Sequence, residues 1–346
     1  MNAIISAFPD VPATGDLQQV APGVLWLKMP LPFALDHINL YLIDDCDGWV
    51  AVDSGLAGED SRNIWRQILS RPLLLGKPLK QLIVTHFHPD HLGGAGWLCQ
   101  HFNLPLAITG PEYETAAAFL RDAGQAGDYR LQRLLDYFHG LGMSDEIAQR
   151  IINATDSMAR AYDPLPGQYQ QLEQGTLMKI GGRDWQVSVA DGHSPAHATL
   201  YCAELNLLIS GDQVLPRISS NVSVRIEAPQ ANPLRCWLKA LERLHQLPDD
   251  TLVLPAHDQP FYGLHRRLDQ LTEEHRQMLE LVEQSCRQPK TVMELLPIMY
   301  SRKLGDFDLL LASGECLAHL HYLIEQQLIV RQVRTDGVVI YLRVSR

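Results

Sequence analysis

An α/β fold is what this chain predicts, on three observations. Short apolar runs such as Leu82-Ile83-Val84-Thr85 and Leu207-Leu208-Ile209-Ser210 recur along it, and each stops at His or Asp residues. Between them lie long stretches with apolar residues at helical spacing. Towards the C-terminus two alternating strands flank an Asp-Gly step. With 346 residues, 46% of them hydrophobic, the chain can bury a large core and reads as one large domain plus a smaller one.

The run Leu82–Thr85 leads into His86-Phe87-His88-Pro89-Asp90-His91, four metal-ligating side chains in six residues. Neutral imidazole and carboxylate are the donors that zinc accepts at about 2.0–2.2 Å, and alternate residues at a strand end project alike. His86 and His88 can therefore grip one ion, while Asp90 and His91 face another way and suit a second. Gly93-Gly94-Ala95-Gly96 then lets the backbone turn and start a helix close beneath.

Helical stripes follow over Glu112–Ala123, Asp128–Leu141 and Ser144–Tyr162, with Leu131, Leu134, Leu135 and Phe138 forming one stripe and Ile147, Ile151 and Met158 part of another. Ser144 ahead of Asp145-Glu146 reads as a helix cap. Three more strand-like runs each deliver ligand-type residues. Trp185–Ala190 leads to Asp191-Gly192-His193-Ser194-Pro195-Ala196-His197, Leu207–Ser210 to Gly211-Asp212, and Thr251–Leu254 to Pro255-Ala256-His257-Asp258. The tail predicts helices over Val292–Met299 and Leu309–Gln327, then strands Leu328–Val333 and Val338–Leu342 around Asp336-Gly337.

In this order and setting the motifs closely resemble the metallo-β-lactamase-fold hydrolase superfamily, glyoxalase II-like, over roughly residues 20–265. Ile38–Ile43 and Trp49–Val52, ending in Asp53-Ser54-Gly55, look like that family's N-terminal hairpin. The resemblance implies an αββα sandwich and two divalent metal ions, with zinc expected and manganese or iron fitting the same ligands. Carried over by position, it puts His86, His88 and His193 on the first metal, Asp90, His91 and His257 on the second, and Asp212 between them. Two such metals can deprotonate a shared water and stabilise a developing oxyanion. Asp90, the one carboxylate in the first motif, is the candidate proton shuttle. A Ser194/His197 nucleophile pair is then superfluous, and His197 is expected to orient His193 or its loop. The tail looks like the small winged-helix domain of one branch, which includes a mitochondrial endoribonuclease.

Domains are accordingly placed at 1–265, with a helical insertion at about 112–165, and at 266–346. Insertions at this place sit above the metals in relatives, so the helices are a candidate lid, lined by Tyr113, Phe119, Tyr137, Phe138 and Met158 and suited to an apolar or acyl substrate. Mutual packing as decoration is the competing reading. The stretch from Ala21 to Phe33, continuing to His37, could close the other side, with Trp26 read as core. Arg217 and Asn221, in the loop after Asp212, and His265 are substrate-contact candidates; loop-satisfying and solvated roles account for them as well.

Hydrolysis of a small-molecule ester-type bond by a metal-bridging hydroxide, preferably an acyl thioester of CoA or glutathione, is the expected activity. The alternatives are a phosphodiesterase or endoribonuclease that reads nucleic acid through the winged helix, a lactonase, and a binding protein that kept the site. His88 stands where redox relatives carry Glu, although a sulfur dioxygenase shares the ligand list. A net charge of −11 tells against nucleic acid and anionic membrane. From Lys290 to Arg346 seven Lys/Arg face six Asp/Glu, no basic stripe, so the tail reads as a packing or homodimerisation module. The N-terminal residues show neither a signal sequence nor a span, and the six cysteines form no close pair, which together predict a cytoplasmic chain with reduced thiols.

Overall fold

The computed structural model describes residues 3–32, 35–74, 76–123 and 128–344. In chain order its strands are Ile5–Ser6 (β1), Leu17–Ala21 (β2), Val24–Pro30 (β3), His37–Asp44 (β4), Trp49–Val52 (β5), Leu79–Ile83 (β6), Leu106–Ile108 (β7) and Gln170–Gln171 (β8). There follow Leu177–Ile180 (β9), Arg183–Ala190 (β10), His197–Cys202 (β11), Leu207–Gly211 (β12), Leu252–Pro255 (β13), Phe261–Tyr262 (β14), Ile329–Val333 (β15) and Val339–Arg343 (β16). The α-helices are Glu59–Leu69 (α1), Pro89–Leu92 (α2), Ala95–Phe102 (α3), Gly110–Ala123 (α4), Asp128–Gly140 (α5), Asp145–Met158 (α6), Pro233–Leu244 (α7), Leu264–Ser285 (α8), Val292–Met299 (α9) and Asp306–Glu325 (α10).

Strands β2 to β8 form one seven-stranded sheet in sequence order, and β1-β14-β13-β12-β11-β10-β9 form a second. The first is antiparallel through β5 and parallel from β5 to β8. Alternation gives each strand two faces, and the central strands β3, β4, β5 and β12 bury both. On β3, Val24 and Trp26 join Trp185, Val187, Leu200 and Leu254 of the second sheet in one core. Leu25, Leu27 and Met29 join Trp65 and Ile68 of α1 and Leu98 of α3 in another. Sheet therefore packs on sheet, and helices cover the outer face of the first. That double burial is why the strands read as continuous apolar runs.

The chain divides into two compact units that interleave in sequence: residues 1–120, 158–220 and 243–268, and residues 121–157, 221–242 and 269–346. Gly110–Leu120 stays in the first unit, but α5 and α6 are built into the second. The reason is their apolar stripe: Leu134, Phe138, Leu141 and Met143 are all buried. Met293 donates its backbone N–H to Leu141, and His139 Nε2 lies 2.8 Å from the Asp336 carbonyl. Phe138, at 1% exposure, is core rather than the lining of a substrate pocket.

Within the second unit α9 and α10 precede the β15–β16 hairpin, close to the predicted elements. Thr291 caps α9 in a capping box with Glu294. The α6 helix is shorter than predicted. It ends at Met158 in a tight turn over Ala159–Ala161, because Tyr162 is extended and Pro164 disfavours helix at the residue before it. No helix among the described residues is long and apolar enough to cross a membrane.

Candidate metal centre

The candidate metal ligands emerge beyond strand ends, in the loop or short helix that follows. Strand β6 ends at Ile83, and Thr85 and His86 come next, both fully buried. Pro89 opens the short helix α2, which carries Asp90 and His91. His193 follows β10, Asp212 follows β12, and His257 follows β13. The folded chain gathers them into two groups, His86, His88, His193 and Asp212, and Asp90, His91 and His257, with the ligand atoms of each within 4.8 Å of one another.

His86 Nε2 lies 2.9 Å from His88 Nδ1 and 3.2 Å from His193 Nε2, which in turn is 3.4 Å from Asp212 Oδ2. In the second group His257 Nε2 is 3.3 Å from Asp90 Oδ2, and His91 Nε2 is 3.7 Å from it. Asp212 Oδ1 faces this group, 3.6 Å from His91 and 3.5 Å from His257. One carboxylate thus turns an oxygen to each set. Tetrahedral ligands about 2.0–2.1 Å from a zinc ion stand roughly 3.3–3.4 Å apart, so the spacings suit a divalent cation in each group. Among the described residues His91 Nε2 and Asp212 Oδ1 are buried without a hydrogen-bond partner. Such orphaned donor atoms are costly unless a ligand uses them.

The electrostatics agree. Burial and the neighbouring histidines push His88 down to about 3 and His86 well below the usual histidine range, leaving neutral imidazoles. Burial opposes charge on Asp90, yet His91 and His257 hold its carboxyl down at about 2, and His257 and His91 likewise keep Asp212 well below the ordinary carboxylate range. Against burial, Asp212 and Asp90 draw His257 up to about 9. A site whose carboxylates raise their neighbours in this way has a field that attracts cations.

Two supports, Asp53 and Glu112, were not singled out as such in the sequence. Asp53 Oδ2 stands 2.8 Å from His91 Nδ1, and its Oδ1 accepts the Thr85 N–H at 2.8 Å. Asp53 itself adopts a left-handed backbone, φ 65°. Glu112, fully buried, accepts from Phe87 N and from Ser194 Oγ. The Asp-Ser-Gly turn was the only sequence signal for the first; nothing local marked the second. His197 Nε2 accepts the Asp212 N–H at 3.1 Å, so it braces the Asp212 loop rather than the His193 loop that was expected. Ser194 donates to Glu112, not to His197, and forms no nucleophile pair.

Each of the substrate-contact candidates has a partner of its own. Arg217 is an exposed side chain paired with Asp258, next to His257. Asn221 bonds Leu311 O within the second unit. His265 lies 2.7 Å from the Leu247 carbonyl through Nε2 and packs on His245. Phe33, in the stretch read as closing the site, lies outside the described residues.

Residues 34–257 match the Metallo-beta-lactamase superfamily. The chain belongs to that superfamily. Residues 279–344 further match the C-terminal domain of metallo-beta-lactamase-like proteins. Among solved metallo-beta-lactamase structures, a beta-lactamase domain protein from Burkholderia ambifaria is 39% identical, with a TM-score of 0.86 and 98% of each chain covered. Among curated members, the "Probable metallo-hydrolase YqjP" of Bacillus subtilis is 26% identical over 314 residues, 87% of this chain and 92% of that protein. The "Atrochrysone carboxyl ACP thioesterase dmxR1" of Cryptosporiopsis sp. is 23% identical over 290 residues, 82% of this chain and 70% of that protein.

Proposed function

We propose that this metallo-beta-lactamase superfamily member is a dinuclear metal-dependent hydrolase of a small-molecule ester-type bond, with an acyl thioester as preferred substrate. The observation that carries it is the double facing of Asp212, one oxygen towards His193 and the other towards His91 and His257. His86, His88 and His193 would hold the first ion, Asp90, His91 and His257 the second, and Asp212 both. When bound, such a pair supplies Lewis acidity and lowers the pKa of water.

The chain's own groups do the rest. Asp90, ionised at neutral pH and pointing its Oδ2 at His257, is placed to orient the attacking water and take its proton. Ser194 and His197 are engaged elsewhere, so no side-chain nucleophile is needed. Aromatic surface stands close by: Phe119 packs on Tyr162 at 5.9 Å, and Tyr162 Oη donates to the Phe87 carbonyl between His86 and His88. That surface, with a relative named as an acyl-carrier thioesterase, supports an acyl substrate over a bare polar one.

The test is a hydrolysis screen of zinc-loaded protein against acyl-CoAs, acylglutathiones, lactones, a bis-phosphodiester reporter and short RNA, with His86→Ala as control. Thioester turnover lost in the variant is the expected result. Metal-dependent turnover of RNA or phosphodiester alone would overturn the reading. Against that outcome stands α10, which carries no Lys or Arg and so offers no basic reading face.

A further inference from the structure

We propose that Glu112 is the positioning residue that locks the two histidine loops of the first metal group together; the inference rests on the dinuclear reading above. Glu112 sits in the first turn of α4, directly after β7, and β7 pairs in parallel with β6, the strand that delivers His86. Its side chain is fully buried. Oε2 accepts the Phe87 N–H at 2.9 Å, between the ligands His86 and His88. Oε1 accepts Ser194 Oγ and the Ala196 N–H, each at 2.6 Å, just after His193. The two loops come from different sheets, so one carboxylate ties the sheets together at the metal edge.

Both ends of each tie are held. Thr109 Oγ1 donates to the Ala196 carbonyl at 2.9 Å, and Tyr162 Oη donates to the Phe87 carbonyl at 2.8 Å. Phe87, between two ligands, and Ala196, three residues after the third, are therefore gripped at N–H and at C=O, which leaves the imidazoles little freedom to swing. Only a carboxylate meets this demand. An amide of the same shape must turn its NH2 towards either the Phe87 N–H or the Ala196 N–H, setting donor against donor in a buried place.

The experiment is calorimetric zinc titration of the metal-free full chain, wild type against Glu112→Gln and Ser194→Ala, with His88→Ala and His257→Ala assigning the two binding steps. The expected result is a 10- to 100-fold loss of affinity in Glu112→Gln, confined to the step that His88→Ala removes, with unchanged circular dichroism. Ser194→Ala, which removes one donor and keeps the carboxylate, shows a smaller loss in the same step. Unchanged affinities, or equal losses at both steps, would overturn the proposal. If Glu112→Gln does not fold, Ser194→Ala decides by the same criterion. A wild-type chain that takes up fewer than two zinc ions overturns the dinuclear reading first, and is seen without any variant.

Discussion

Asp53 illustrates what a single residue contributes beyond the ligands. One oxygen faces His91 Nδ1 and the other accepts the Thr85 N–H, so the turn orients the imidazole and directs the Nε2 lone pair into the site. Asn tolerates the left-handed backbone at this position but cannot accept at both atoms. Asp53→Asn is therefore expected to fold and to weaken zinc binding about 10- to 100-fold, read by chelator competition; wild-type affinity would refute this. Gly211 makes a similar point in reverse. Its φ is +51°, and a Cβ there would stand 2.7 Å from the His197 ring that holds the Asp212 N–H. The ligand types and their clustering were legible in the sequence because metal chemistry restricts both. Asp53 and Glu112 were given no such supporting partners, and His197 was given another, because hydrogen bonds between residues 15 to 84 apart leave no local pattern.

The element that ties the first unit together is the segment 159–166. It crosses the start of α2 and α3, with Ala57 N donating to Ala161 O, Asp163 N to Gly93 O and Tyr162 Oη to Phe87 O, and with Arg62 paired to Asp163. Gly93 and Gly96 make room for it. A Cβ on Gly96 would meet Pro164 O at 2.0 Å, so backbone rather than a pliable side chain would have to move. Gly96→Ala is expected to cost about 1–3 kcal/mol, seen as a lower denaturant midpoint, and to loosen zinc binding by displacing the loop. A variant as stable as wild type would show that the segment yields freely. The sequence predicts helix through Tyr162; the Gly-rich run was read as a sharp turn, and that its lack of Cβ atoms also serves a chain returning from far away is visible only in the fold.

At the scale of the whole molecule the two units have separate liabilities. In the first, chelation removes the cations that offset the mutual repulsion of Asp90 and Asp212, and the expected result is a lower melting temperature in excess EDTA, restored by zinc. In the second, His275 and His319 lie 3.2 Å apart and buried, and burial pushes them down to about 3 and about 4. The unfolded chain binds their protons near pH 6.5 while the folded one does not. Stability is therefore full above that pH and falls by about 1.4 kcal/mol per pH unit per histidine between roughly pH 6.5 and 4. His275→Asn should flatten this acid slope in denaturant melts; an unchanged slope would acquit the pair.

The sequence by itself determined the fold class, the strand ends that bear ligands, the helical stripes and the C-terminal hairpin, because hydrophobic period, turn chemistry and donor type are local properties. Tertiary structure alone decided that Leu134 and Phe138 bury their stripe in the second unit, that His265 meets the Leu247 carbonyl and Asn221 the Leu311 carbonyl, and that Glu112 joins the loops of His86 and His193. Those outcomes depend on which surfaces meet, and an apolar stripe states that it will be buried without stating against what.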